Sequence, residues 1–152
     1  MMLSVKCLLA GDGEDRERLI EKVNELGLSE HFCFLGFRKD VPELMAVSDV
    51  VVLLSKREGL PKSLMEALAA GKPIVTTNVR GNRDLVEDGV NGYVVKVGDV
   101  QKTAEAFLKL IQNEDIRFQM GKTNREKAKM YDITNILSQM EKIYDRALEK
   151  VK

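Results

Sequence analysis

The sequence predicts an α/β protein built on a parallel sheet, and three observations carry that prediction. Short apolar runs alternate with segments of helical periodicity. The run VVVLL at residues 50–54 is unbroken, as expected of a parallel strand covered on both faces. Glycine and proline punctuate the junctions between runs and helices. In order, residues 5–10 read as a strand and Gly11-Asp12-Gly13 as a turn. Leu19, Ile20, Val23 and Leu26 then recur at helical spacing, stopped by Gly27. Residues 32–35 form the second strand, 42–47 a short helix and 50–54 the third strand. Pro61 opens a helix that runs to about Ala70, with Gly71 as its C-terminal cap. A strand at 74–77, a loop and short helix around 81–86, and a strand at 93–97 after the Asn91-Gly92 turn complete the sheet. Two helical stripes follow. Ala104, Phe107, Leu108 and Ile111 make one; Ile133, Ile136, Leu137, Met140, Ile143, Tyr144 and Ala147 make the other.

Composition narrows the function classes. The chain has 152 residues, 44% hydrophobic, 32% charged and 5% aromatic, with three prolines. That is one ordinary domain with enough apolar material for a core, and it is neither a disordered tail nor a disulfide mini-protein. Lysine plus arginine and aspartate plus glutamate both number 24, and there is no Trp and no basic block. The electrostatic footprint of a nucleic-acid binder is therefore missing. No apolar run approaches the roughly 18 residues of a membrane helix. The first fifteen residues lack the apolar stretch and cleavage site of a secretion signal. Cys7 and Cys33 lie in strand-like runs and are expected to be reduced core thiols of a cytoplasmic protein. His31 is the only histidine, so neither a Ser-His-Asp triad nor a Cys/His metal cluster has much support. The early start of the first strand after Met1-Met2 gives the expectation that the chain begins inside a larger unit.

Three local patterns read blandly. Gly11-Asp12-Gly13 begins like a dinucleotide fingerprint, but Arg16 stands where the third glycine belongs, so it reads as a simple turn. Gly71-Lys72 is followed by Pro73 and comes after a helix, so it is not a phosphate-binding loop. The charged run at 122–129 reads as a solvated helix face.

The informative segment is EGLPKSLMEALAAG, residues 58–71. It follows the third strand, so it lies at the carboxyl edge of the sheet, where open α/β sheets bind ligands. The helix start offers free backbone N–H groups and the positive end of a dipole, which favour a phosphate or diphosphate. Gly59 allows close approach of a ligand to the backbone. Glu58 and Glu66 flank this start, and a carboxylate accepts two hydrogen bonds, as from a sugar or ribose diol. The alternative from spacing alone is that Glu58 caps the helix and Glu66 is exposed. A phosphoacceptor module fits poorly, since the third strand is followed by Ser55-Lys56 rather than an aspartate.

With these residues stated, the chain resembles the C-terminal donor-binding domain of the group 1 family of retaining glycosyltransferases, which have the GT-B fold. The resemblance runs in order through LLAGDGED, FLGFRKDVPELMAVSDVVVLLS and EGLPKSLMEALAAGKPIVTTNVRGNRDLVEDGVNGYVV to the helical tail. Glu58 and Glu66 have the family's E-x7-E spacing in its usual context. The resemblance implies a Rossmann-like parallel sheet with flanking helices, half of a GT-B fold, over residues 1–152. It implies that Glu58 meets the donor sugar as the catalytic carboxylate. Gly59, Leu60, Pro61 and Lys62 meet the sugar and diphosphate, Glu66 binds the ribose, and Phe37 and Arg38 lie where the family holds the base. The segment around Gly81 and Asp84 departs from the family's GG-x-x-E pattern, which leaves its role open. Lys56, Arg57 and Lys62 are nearby cations.

The resemblance gives the expectation that the family's N-terminal acceptor domain and the first strand–helix unit of its donor domain are absent from residues 1–152. The remaining five strands are then expected to close in the order 2-1-3-4-5. The implied function is donor binding in the transfer of a sugar from a nucleotide-sugar, UDP-sugar ahead of GDP-mannose, in surface polysaccharide or glycolipid synthesis. The alternative is a nucleotide-sugar-binding module with no catalysis of its own. No cofactor and no metal are expected, the donor being a substrate. The expected partners are that donor, the acceptor domain, and a second copy through the C-terminal helix. The implied location is cytoplasmic, membrane-peripheral in the full-length enzyme.

Overall fold

The computed structural model describes residues 5–149. The chain divides into two compact units, Met1–Glu43 and Leu44–Lys152. The first holds β1 (Cys7–Ala10), α1 (Arg16–Glu25), a 3-10 turn at Ser29–His31 and β2 (Phe32–Gly36). β1 and β2 pair in parallel, with Leu8 opposite Cys33 and Leu9 opposite Phe34. Gly11 adopts a φ of 127°, open only to glycine, and its N–H donates to the Gly36 carbonyl at 2.8 Å. That bond closes the turn after β1 onto the end of β2. α1 covers the ladder only partly: Ile20 and Val23 are half-buried, while Leu19 and Leu26 are exposed. Both cysteines are free and lie in strands, but they are half-buried and outside the core in which they were expected. Burial and the nearby Cys33 push the Cys7 thiol up from its ordinary value.

α2 (Val41–Val47) leads into the second unit, which holds β3 (Val51–Leu53), α3 (Lys62–Ala70), β4 (Ile74–Thr77), α4 (Arg80–Leu85), β5 (Gly92–Val95), α5 (Val100–Gln112), α6 (Glu114–Ala128) and α7 (Ile133–Glu149). The sheet is parallel in the order β3-β4-β5. β4 is its centre, and all four residues, Ile74 to Thr77, are buried. Val75 and Val95 pack with Ala106 and Leu110 of α5 and Met120 of α6. Leu64, Ala67 and Leu68 of α3 and Leu85 of α4 are also buried.

The starts of α5 and α6 and the end of α3 follow ordinary capping rules. Asp99 and Asn113 accept from the N–H groups of Lys102 at 2.9 Å and Ile116 at 3.0 Å, starting α5 and α6. Gly71 ends α3 with a φ of 66°. A Cβ on Gly121 of α6 would collide with the Gly71 carbonyl, so α6 approaches the end of α3 through a glycine. Beside it lies a buried amide pair. Asn124 donates to the carbonyls of Lys72 at 2.6 Å and Asn91 at 2.9 Å, and Asn91 donates back to Asn124 Oδ1 at 2.6 Å.

Three expectations change. The strands form two ladders, β1-β2 and β3-β4-β5, rather than one five-stranded ladder in the order 2-1-3-4-5. Neighbours within each ladder are as expected, but the pairing of residues 7–10 with 51–53 is not formed. Nor is β3 covered on both faces. It is an edge of its own ladder, with Val52 exposed and Leu54, just past its end, exposed as well. The run at 122–129 is not purely solvated, since Asn124 is fully buried and Arg125 lies against Gly71.

Candidate functional site

The carboxyl ends of β3 and β4 and the start of α3 build the site. After β3 the chain runs through residues 54–61 into α3, which begins at Lys62 with buried Pro61 at its N-cap. Proline has no side-chain acceptor to offer the helix start. The N–H groups of Leu64 and Met65 donate to the Pro61 carbonyl at 3.1 and 3.3 Å. Among the described residues nothing accepts from the N–H groups of Gly59, Leu60, Lys62 or Ser63. An uncapped helix start with free donors favours an anion through both hydrogen bonding and the helix dipole.

Two carboxylates flank these donors. Glu58 is half-buried just before the helix, and it does not cap it. Glu66 lies one turn into α3, its side chain 34% exposed, and forms an ion pair at 3.4 Å with the exposed Lys62. Leu60 is exposed beside them. Glu58, Gly59, Leu60, Pro61, Lys62 and Glu66 are thus gathered at one helix start in the second unit. Phe37 and Arg38 belong to the first unit. Phe37 follows β2 and is 76% exposed. Arg38 forms a two-pronged pair with Asp40, with Nε donating to Oδ1 at 2.7 Å. The hydrogen bonds to Asp40 raise the Arg38 pKa, and the same bonds from Arg38 hold the Asp40 carboxyl below its ordinary value. The same unit has an open hollow at the ends of β1 and β2, lined by Asp12, Gly13, Glu14, Arg16, Glu17 and Gly36.

Sequence reasoning missed the residues that support the loop. Thr76 and Thr77 at the end of β4 donate their hydroxyls to the carbonyls of Leu53 at 2.7 Å and Ser55 at 2.5 Å. The Gly81 N–H donates to the Glu58 carbonyl at 3.3 Å. The available signal was the pair of threonines ending an otherwise apolar strand. A buried threonine at a strand end needs an acceptor, and here the neighbouring loop supplies it. No group of three or more metal-ligating side chains occurs among the described residues.

Comparison with known proteins gives this geometry a family. The description "Glycosyl transferases group 1" matches residues 3–127, and the chain belongs to that family. It is 32% identical over 146 residues to the putative glycosyltransferase EpsD of Bacillus subtilis, covering 96% of this chain and 38% of that protein. It is 34% identical to the N-acetyl-alpha-D-glucosaminyl L-malate synthase of Bacillus anthracis, covering 93% of this chain and 38% of that protein. Among solved structures, Anabaena HepE in complex with UDP matches with a TM-score of 0.88 at 30% identity, covering 93% of this chain and 41% of that one. The HepE complex with UDP-glucose matches with a TM-score of 0.86 at 31% identity. The α/β fold with parallel sheets and flanking helices is that of the GT-B glycosyltransferases. The chain spans about two fifths of the length of these relatives.

Proposed function

We propose that this chain is the donor-binding part of a retaining glycosyltransferase that takes a nucleotide-sugar, UDP-sugar by preference. The observation that carries the reading is the uncapped start of α3, with four free N–H groups between two carboxylates. The N–H groups of Gly59, Leu60 and Lys62 would hold the diphosphate and sugar. The Glu58 carboxylate would accept from the sugar hydroxyls, and Glu66 from the ribose diol. For Glu66 to do so, the Lys62 ammonium leaves its carboxylate and turns to the diphosphate, an exchange that an exposed i,i+4 pair permits at small cost. For the base, the resemblance's assignment of Phe37 and Arg38 in the first unit is kept. The chemistry is orientation of the donor and stabilisation of the leaving nucleotide diphosphate, with the helix start supplying charge compensation and no metal or other cofactor.

Relatives support the donor class and the setting. HepE is known with UDP and with UDP-glucose. An Escherichia coli relative 30% identical to this chain is named for transfer from UDP-Gal to a diphosphoundecaprenol-linked sugar. We therefore place the parent reaction in surface polysaccharide or glycolipid synthesis, on the cytoplasmic side and at the membrane periphery. No helix among the described residues is long and apolar enough to cross a membrane. Because the chain spans about two fifths of its relatives, we assign it donor binding and not turnover on its own; an acceptor domain completes the enzyme.

Titration with UDP, UDP-glucose and GDP, followed by amide NMR, tests the reading. The amides of Gly59, Leu60, Lys62 and Glu66 shift at millimolar nucleotide, most strongly with the uridine compounds. If they stay still while another region moves, the site is misplaced. Hydrolysis or transfer of UDP-glucose by this chain, above a Glu58→Ala control and at the rate of a complete enzyme, overturns the donor-only assignment.

A further inference from the structure

The loop that carries Glu58 has no regular structure of its own, yet its position decides where the Glu58 carboxylate and the free N–H groups point. We infer that Thr77, Gly81 and Asn82 are positioning residues that hold this loop in register over the start of α3. The inference rests on the donor-binding reading for its effect on ligand, and on the geometry of the unliganded chain for the contact itself.

Two separate contacts reach the loop from the β4–α4 junction. At the loop's beginning, the Thr77 hydroxyl donates to the Ser55 carbonyl at 2.5 Å. Thr77 is itself held from below. The Asn82 amide donates from Nδ2 to the Thr77 carbonyl at 3.1 Å and to its hydroxyl oxygen at 3.2 Å. With Nδ2 committed to these two acceptors, the hydroxyl proton is left for Ser55, so the relay runs in one direction. At the loop's end, the Gly81 N–H donates to the Glu58 carbonyl at 3.3 Å. Contact there is backbone on backbone. A Cβ at position 81 would lie 2.6 Å from the Gly59 carbonyl carbon and 3.1 Å from that of Glu58, and nearer still to the Gly59 oxygen. Only glycine admits this approach, and any side chain pushes Glu58 and Gly59 off the helix start.

Asn82 points the same way. It is fully buried, and its Oδ1 has no hydrogen-bond partner among the described residues. An unsatisfied buried acceptor is costly, so a residue chosen only to fill the core would be apolar. What the carboxamide supplies in return is the pair of donors that orient Thr77.

Thr77→Val keeps the shape of the side chain and removes the hydroxyl; Thr77→Ser keeps the hydroxyl. We expect the unliganded Thr77→Val chain to show amide shifts at residues 55–60, with α5 and α6 unmoved, and UDP-glucose affinity to fall about tenfold, the scale of one hydrogen bond to a charged group. Thr77→Ser restores both readouts. Gly81→Ala moves the same amides by more. Should Gly81→Ala fail to fold, the Thr77 pair alone decides. If Thr77→Val lowers the thermal midpoint but leaves the loop amides and the affinity of the folded protein at wild-type values, the role is purely structural and the inference fails. If wild type shows no shift with UDP-glucose at residues 58–62, the donor-binding reading fails. The contact is then still decided by the amides of the unliganded variants.

Discussion

β1 reads CLLA and is mostly exposed; β4 reads IVTT and is buried throughout. The strand with more hydrocarbon lies nearer solvent, and the strand with two hydroxyls lies at the centre. Placement in the sheet decides this, not hydropathy. β4 has a parallel neighbour on each side. Its two hydroxyls are satisfied by carbonyls of the adjoining segment, which removes the cost of burying them. β1 has one neighbour and only partial cover from α1, so Leu8 and Leu9 remain 39% and 36% exposed. A parallel ladder is ordinarily covered on both faces. The first unit is thus a sheet fragment with apolar surface to spare, and the second carries the core on which the candidate site stands.

The largest test of this contrast is core truncation. Leu68→Ala in α3 removes a fully buried side chain and should cost about 2–5 kcal/mol, transfer and cavity contributions together. Leu8→Ala in β1 should cost roughly 1 kcal/mol or less, since much of that side chain is already wet. Urea unfolding followed by circular dichroism measures both. Equal costs would show that β1 is covered in solution and would erase the difference between the two units. Amide exchange gives the same comparison without mutation. Val75 and Thr76 should exchange at the rate of global opening, and Leu8 and Leu9 by much faster local opening.

Next comes the contrast between buried and exposed amides. Asn124→Ala leaves the Lys72 and Asn91 carbonyls and the Asn91 amide short of a partner, a loss of about 1–3 kcal/mol for an unsatisfied buried group. Asn24 of α1 accepts from the Ser29 hydroxyl at 2.6 Å, but in water. Asn24→Ala should change the urea midpoint little, because solvent replaces the bond. A larger loss at Asn24 than at Asn124 would reverse the assignment of which unit carries the stability.

These particulars show what the sequence made legible. The strand–helix alternation, the cap at Gly71 and the placement of residues 58–66 at a sheet edge were readable, because each depends on local periodicity or on glycine and proline chemistry. α6 was not readable as a packed helix. Its buried positions are Met120, Gly121 and Asn124, which make no apolar stripe; a glycine and an amide do the packing there. The roles of Thr77 and Gly81 were equally hidden, since they depend on residues 22 and 23 positions upstream. β3 misled for the opposite reason. An unbroken apolar run marks a strand, but it does not fix how much of that strand its neighbours cover.

α7 carries the contrast to the end of the second unit. It has no buried residue, and Ile133, Leu137, Met140, Ile143, Tyr144 and Leu148 are all exposed along one helix. Such a stripe predicts self-association, and Glu141, Lys142, Asp145 and Arg146 beside it supply both signs of charge for an antiparallel pair of copies. Sedimentation should show a concentration-dependent dimer that Ile143→Glu abolishes while leaving the circular dichroism of the rest of the chain intact. A monomer at every concentration would show that a second copy does not cover this helix.

The smallest expected effect belongs to the first unit and tests how far its surface contributes at all. Arg38 and Asp40 form a two-pronged pair with side chains 39% and 41% exposed. The Asp40 carboxyl is held below its ordinary value, chiefly by the hydrogen bonds from Arg38. A carboxylate with a depressed folded-state pKa stabilises the fold above its unfolded pKa and loses that contribution as pH falls through the folded one. Wild type and Asp40→Asn should therefore differ by a small, constant amount from neutral pH down to the ordinary carboxylate range, and converge below it. Solvent and salt screen a pair this exposed, so 1 M NaCl should shrink the difference toward zero at neutral pH. If the difference instead grows as pH falls, or resists salt, Asp40 is engaged with more than Arg38. The neighbouring Phe37 would then sit in a firmer setting than its exposure implies, and the segment proposed to meet the base would be preformed.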